Sequence, residues 1–328
     1  MKSCKSISFL LRLLLVLPVA ADAADAPPLT FKFSTSNVPG AVQTFTGDIN
    51  NAGVTVGQYE DKRNVFHGFI LSGKNLITVD DPQGTNTVVN GIQYNGMGVV
   101  GAYTNSAGNS VGFLYKNGKF TDIPGPSGAT AASASSINDK GVTVGYYLDS
   151  GGVQHGFRLT GKTYKTLDVP GAIGTGADGI NNKGNMVLFW VDSKGNGESS
   201  ISYDGGKTYK TINVPGAVYS AASDLNNECD VAYEWVDSSD AVHGALLHKG
   251  KYYKFDYPKA VFTYAGGIND KNTLVGGYEA KNNGPFSSYK ATFKQQGEAD
   301  INSMRLICVP VFSTVVSQTI ARRRREDL

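Results

Sequence analysis

The sequence predicts an all-β fold, a six-bladed β-propeller with four antiparallel strands per blade and a ring closed by the N-terminal strand. Three observations carry this expectation. The dipeptide Ile49-Asn50 returns as Ile92-Gln93, Ile137-Asn138, Ile180-Asn181, Leu225-Asn226 and Ile268-Asn269, at intervals of 43, 45, 43, 45 and 43 residues. Val38-Pro39-Gly40-Ala41 recurs in phase around Pro82, Pro124, Pro170, Pro215 and Pro258, and His67-Gly68-Phe69 recurs as Val111-Gly112-Phe113, His155-Gly156-Phe157 and His243-Gly244-Ala245. Forty glycines, 17 tyrosines and 15 phenylalanines in 328 residues favour short strands and tight turns over a helical bundle.

The unit from 131 to 170 shows how one repeat is built. Alternating or β-branched runs mark strands over Ala131 to Asn138, Val142 to Tyr147, His155 to Leu159 and Tyr164 to Val169. Asn138-Asp139-Lys140-Gly141, Asp149-Ser150-Gly151-Gly152 and Thr160-Gly161-Lys162 supply the turns between them, because Asn and Gly tolerate positive φ. Four antiparallel strands in about 43 residues is the size of a propeller blade. Phe31-Lys32-Phe33 matches the fourth strand of a unit, and the last repeat ends after its third, near Pro285 to Phe293. The N-terminus therefore supplies the missing strand, which leaves no open edge.

Outside the repeats lie two unrelated segments. Residues 1–23 read as a secretory signal, with Lys2 and Lys5 before an apolar run and Ala21-Asp22-Ala23 as the cleavage site; the run is short and broken by Arg12, which argues against a membrane anchor. The propeller is expected over 24–299, and 300–328, ending in Arg322-Arg323-Arg324-Arg325, is expected to be an extension outside it. Once the leader is removed, Cys229 and Cys308 remain, and whether they pair is open. Residues 24–299 carry a net charge of −2 with no clustered basic face, which excludes a nucleic-acid binder. Export to the extracellular space or periplasm and a monomeric state are the expectations.

The strands ending in Ile-Asn are expected to line a central channel, since Ala131 to Ser136 and Gly174 to Ala177 are small enough for six strands to approach an axis. Asp48, Asn90, Asp178 and Asp224 stand out there as oxygen donors of the kind Ca²⁺ takes, the alternative being that each bonds neighbouring backbone. Asn50, Asn138, Asn181, Asn226 and Asn269 each precede a hairpin and are expected to shape it. Each second strand ends in an aromatic, Tyr59, Tyr103, Tyr147, Trp190, Trp235 or Tyr278, expected either to ring the channel mouth and stack on a ligand or to pack between blades. Leu188 and Tyr233, in the place of Gly57, Gly101, Gly145 and Gly276, would make that ring bulkier in two blades.

His67, His155 and His243 open third strands in alternate blades, with Val111, Ser199 and Phe286 near that position elsewhere. They are the candidate general bases, against a plain structural role at a strand end. His248 has no repeat partner and is expected at the surface. No Gly-x-Ser-x-Gly elbow, His-Glu-x-x-His or phosphate loop appears, and Asp192 to Glu198 is a poor calcium loop because Lys194 stands where an oxygen is wanted.

The Ile-Asn-x-x-Gly, Val-Gly-x-Tyr and His-Gly-Phe elements, with Val-Pro-Gly-Ala between them, resemble the extracellular repeats called the HAF family, over about residues 31 to 293. That resemblance implies a secreted repeat protein and no settled activity. Two functions then compete. By likeness to secreted propeller lactonases and esterases, the chain would be a hydrolase of small lactones or esters with an axial Ca²⁺. The alternative is a non-catalytic glycan- or ligand-binding module, lectin-like or adhesive, favoured by the repeated aromatics.

Overall fold

In the computed structural model, residues 28–295 are described; the leader, Cys4, the extension from 300 onward and Cys308 lie outside them. Six four-stranded antiparallel sheets account for every described strand, and no helix is present among the described residues. Blade 1 runs Gln43–Ile49, Thr55–Glu60, Phe66–Ser72 and Asn75–Val79 in spatial as in chain order. Blades 2 to 5 repeat it from inner strands Gly84–Ile92, Ala131–Ile137, Gly174–Ile180 and Tyr219–Leu225.

Blade 6 closes the ring. Its strands Phe262–Ile268, Thr273–Glu279 and Ser287–Gln295 take their fourth neighbour from the start of the chain, Leu29–Thr35. Phe31 and Phe33 seat this strand, with ring centroids 4.7 Å (Phe31) and 6.0 Å (Phe33) from Phe255, and Phe33 lies edge-on to Tyr289 at 5.5 Å.

Every inner strand carries a β-bulge at the same place, and that of blade 2 carries a second between Thr85 and Val88. The register with the second strand slips between Thr46 and Asp48, and likewise across Asn90, Ser135, Asp178, Ser223 and Gly266 in the other blades. A bulge breaks the strict alternation of faces. Here it lets two consecutive residues of each strand, the bulged one and its successor, approach the axis.

The asparagines of the Ile-Asn dipeptides both shape hairpins and tie blades together. Asn181 is typical: its Oδ1 accepts the Lys183 and Asn185 amides at 3.0 Å each, while its Nδ2 donates to the Asn226 carbonyl of the next blade at 3.0 Å. Gln93, Asn138, Asn226 and Asn269 make the same reach, the last of them to Asn50 across the ring closure. The next residues form a second tier, in which Asp139, Asn182, Asn227, Asp270 and Asn51 bond from blade to blade. One end of the channel is thus sewn by a girdle of buried amides.

His248 departs from the surface position expected of it. Only 9% of it is exposed, its Nδ1 lies 2.8 Å from the Asp230 carboxylate, and Phe293 lies edge-on to the ring. The Cys229 sulfur, in no disulfide among the described residues, accepts the Asn185 amide.

Candidate functional site

The bulges open a cavity of about 640 Å³ on the axis, reached by the inner strands of all six blades. Asp48, Asn90, Asp178 and Asp224 all line it, so the structure brings the four together, but in two layers. Asn90 and Asp178 are bulged residues, whereas Asp48 and Asp224 are the residues after a bulge.

In the layer after the bulge, odd and even blades alternate. Asp48, Ser136 and Asp224 stand in blades 1, 3 and 5, and Gly91, Gly179 and Gly267 in blades 2, 4 and 6. Each polar side chain accepts a backbone amide from the following blade: Ile92 to Asp48 at 2.9 Å, Ile180 to Ser136 at 3.3 Å and Ile268 to Asp224 at 3.1 Å. The glycines are sterically required. A Cβ on Gly267 would sit 2.7 Å from Asp48 Cα, and one on Gly179 would sit 2.9 Å from Asp224 Cα.

Burial governs the chemistry of these acids. Asp48 and Asp224 are 8% and 7% exposed. Loss of water raises Asp48 to about 7 against the pull of its two backbone donors, Ile92 and Ile49, and raises Asp224 well above the usual carboxylate range, with Asp48 beside it adding to the effect. Asp178 is likewise raised to about 7 by burial. At the end where the inner strands finish, Tyr94 reaches across the ring from blade 2 and donates its hydroxyl to the Leu225 carbonyl of blade 5 at 2.8 Å.

Ca²⁺ gathers six to eight oxygens, and part of the set Asp48, Asn90, Asp178 and Asp224 is already engaged within the protein. The Asp48 oxygens already accept the Ile49 and Ile92 amides, and Asn90 turns its amide donor toward Ser133 and the Ala134 carbonyl. Among the described residues no group of three or more His, Cys, Asp or Glu side chains is placed to hold a metal ion.

The cavity wall mixes rings with polar groups. Asn86, Asn90, Ser133 and Ser135 of blades 2 and 3 offer amides and hydroxyls, and Tyr146, Phe189, Tyr219 and Tyr264 of blades 3 to 6 offer rings. None of these rings is among the second-strand aromatics singled out by the repeat. Of those six, Tyr103 alone lines the cavity. Tyr59 and Tyr147 bond Thr78 and Thr166 of their own blades, Trp190 donates to Ser200, Trp235 donates to the Gly244 carbonyl beneath the Lys254 ammonium, and Tyr278 stacks on Tyr257 at 3.7 Å. They pack within and between blades. Leu188 and Tyr233, expected to thicken a ring at the mouth, are fully buried in the core between blades 3 and 4 and between blades 4 and 5.

His67, His155 and His243 stay outside the cavity, each clamped in its own blade. Nδ1 lies 2.8 to 3.1 Å from Asp80, Asp168 or Asp256 after the outer strand, and Nε2 lies 3.4 to 3.6 Å from Asp61, Asp149 or Asp237 in the preceding loop. The ring stacks on Tyr59, Tyr147 or Trp235. Donors of the same loop hold the loop acids ionised: the Val65 amide and the Arg63 side chain and amide lower Asp61, the Val153 and Gly151 amides lower Asp149, and the Ser239 hydroxyl and amide with the Ala241 amide lower Asp237 to about 2. Asp192 accepts the Lys194 and Asn196 amides in the same way, as a turn and not a calcium loop. The strand register also corrects which residues replace histidine, putting Val111, Glu198 and Ser287 opposite Tyr103, Trp190 and Tyr278.

The constant offsets of −6 and +13 from each histidine to its two acids were a readable signal of these clamps. Tyr94 and the cavity rings carried none, because their placement depends on the bulges and on which blades face each other across the axis.

No family model matches this chain, and no protein of curated function matches it in sequence. Solved structures do resemble it. The SapL1 lectin, seen in complex with alpha methyl fucoside, superimposes with a TM-score of 0.53 at 9% identity, over 79% of this chain and 98% of that one. TolB from Acinetobacter baumannii does so with a TM-score of 0.50 at 12% identity, over 80% and 66%. The likeness is one of fold. The chain is a six-bladed β-propeller, and its motifs resemble the HAF repeats without a family match to extend them.

Proposed function

We propose that this propeller binds one small polyhydroxylated ligand, of monosaccharide size, in its axial cavity. The observation that carries the reading is the mixed wall: the rings of Tyr103, Tyr146, Phe189, Tyr219 and Tyr264 and the amides, hydroxyls and carboxyls of the inner strands line one cavity of about 640 Å³. A sugar has the matching faces, an apolar C–H face that stacks on rings and an edge of hydroxyls that needs donors and acceptors. The acids suit the same ligand, because a carboxyl group near its pKa both donates and accepts. The SapL1 lectin's complex with a fucoside agrees with a carbohydrate ligand on this fold. Export, read from residues 1–23, belongs to the same proposal.

Calorimetric titration of methyl glycosides into the purified protein tests it. One saturable site is expected, abolished by Ser135→Phe, which fills the cavity, and unchanged by His155→Ala, which lies outside it. Uptake that survives Ser135→Phe, or six equivalents per chain, would defeat the axial site.

Hydrolysis in the same cavity is the second reading, and one observation favours it. Asp48 and Asp178, raised to about 7, have the poise a general acid needs. It requires turnover of a lactone and ester panel that Asp178→Asn removes.

A further inference from the structure

The seam where the chain closes on itself contains a second cavity, of about 460 Å³, between blade 6 and blade 1. Lys32 of the N-terminal strand, Lys271 of a blade 6 hairpin and Lys290 of the third strand all line it, with the hydroxyls of Ser34, Thr273 and Thr292 among them. We infer that this cavity is a binding site for a small oxyanion carrying at least two negative charges, a phosphate or sulfate group.

The repeat itself shows that the lysine at 290 is not demanded by packing. Strand register makes Lys290 the equivalent of Ile70, Leu114, Arg158, Ile201 and Leu246, each opposite a small aliphatic residue of the second strand. Four of the five other blades fill the place with an apolar side chain. At the seam a half-buried ammonium stands there, and it donates to the Gly53 carbonyl at 2.8 Å.

Charge balance sharpens the point. Among the described residues no carboxylate lines the cavity. The nearest in sequence, Asp270, is spent on the amide girdle, accepting from Asn227 through one oxygen and from Asn51 and Asn227 through the other. No ion pair among the described residues involves Lys32, Lys271 or Lys290. Three cations around one recess repel one another, and burial already disfavours the charged form of Lys290. An oxyanion reverses both costs, since charge-assisted hydrogen bonds from several lysines and hydroxyls to one phosphate are strong and shorter than neutral ones. The free ion and an esterified group share this chemistry.

The test is thermal unfolding with inorganic phosphate or glycerol 3-phosphate against sodium chloride at matched ionic strength, followed by calorimetry. At about twenty times Kd, phosphate should raise Tm by about 3–6 °C over chloride. Lys290→Leu copies Leu114 and Leu246, so it should fold at least as well as the parent while binding phosphate about tenfold more weakly or not at all. Lys32→Ala with Lys271→Ala, both at exposed positions, should weaken binding too. Binding of inorganic phosphate alone assigns the free ion, and tighter binding of glycerol 3-phosphate assigns an esterified group. Equal Tm in phosphate and chloride, or the same phosphate shift in Lys290→Leu, overturns the site. Because the axial cavity shares none of these residues, glycoside binding reports separately on the proposed function.

Discussion

A carboxyl group stripped of water keeps its proton unless donors replace the lost hydration. In Asp48 two backbone amides compete with burial and lose, since the group still rises to about 7. The loop acids Asp61, Asp149 and Asp237 are the opposite case, open to solvent and held ionised by donors of their own loops. The two groups give stability opposite slopes with pH. For Asp48, Asp178 and Asp224 the folded state holds protons that the unfolded chain releases near 3.8, so their contribution is complete in acid and falls as pH rises, from about 4 to about 7 for Asp48 and Asp178 and in the same direction for Asp224. The loop acids contribute above about 4, and that part is lost as pH falls toward 2. Stability should therefore peak near pH 4 to 5. Urea unfolding should give a lower value at pH 8 than at pH 5, by about 2–3 kcal/mol for each of these acids that ionises in the folded protein. Asp178→Asn, which fixes the neutral form, should shrink that drop, and an unchanged drop would show that Asp178 ionises freely in the folded protein.

At the scale of single elements, the hairpin after each inner strand holds the ring together as firmly as the strands do. Asn181 satisfies two turn amides and one carbonyl of the next blade while fully buried. Asn181→Ala leaves those groups without partners, and the cost should be about 2–4 kcal/mol by equilibrium unfolding. Asn181→Asp keeps the turn acceptor but puts an oxygen against the Asn226 carbonyl, so it should recover only part of the loss. An Asp variant as stable as the parent would mean that the link between blades contributes nothing. The element scale also shows what the sequence could reveal. Strand order, blade count and the turn role of Asn50 through Asn269 follow from landmarks repeated in phase, because turn chemistry is local. The bulges are not local. Each shifts the alternation by one residue, which is why Asp48 and Asn90, one and two residues before their landmark isoleucines, both reach the axis, in successive layers. The second-strand aromatics misled for a related reason, since a ring at a strand end can face the channel or the neighbouring blade, and register decides which.

For the whole molecule the repeat unit is two blades long. His67, His155 and His243 are spaced by 88 residues, as are Asp48, Ser136 and Asp224, so three pairs of unlike blades make the ring. Such a ring is only as stable as its weakest joint, and the covalent chain crosses every joint except the one between the strand Leu29–Thr35 and blade 6. That joint rests on backbone pairing with Ser287–Gln295 and on Phe31 and Phe33, which pack against Phe255, Tyr289 and Phe293. Replacing both phenylalanines by alanine should cost about 2–4 kcal/mol, given that each is only partly buried. Starting the chain at Ser36 should do more. It bares the edge of the third strand and an aromatic face together, which invites strand addition by another molecule. The truncated protein should self-associate, and a synthetic peptide of residues 29–35 added in excess should restore a monomer by filling the vacant edge. Sedimentation with and without the peptide decides the matter. A truncated chain that stays monomeric and unfolds at the parent's temperature would show that the ring holds closed without its last strand.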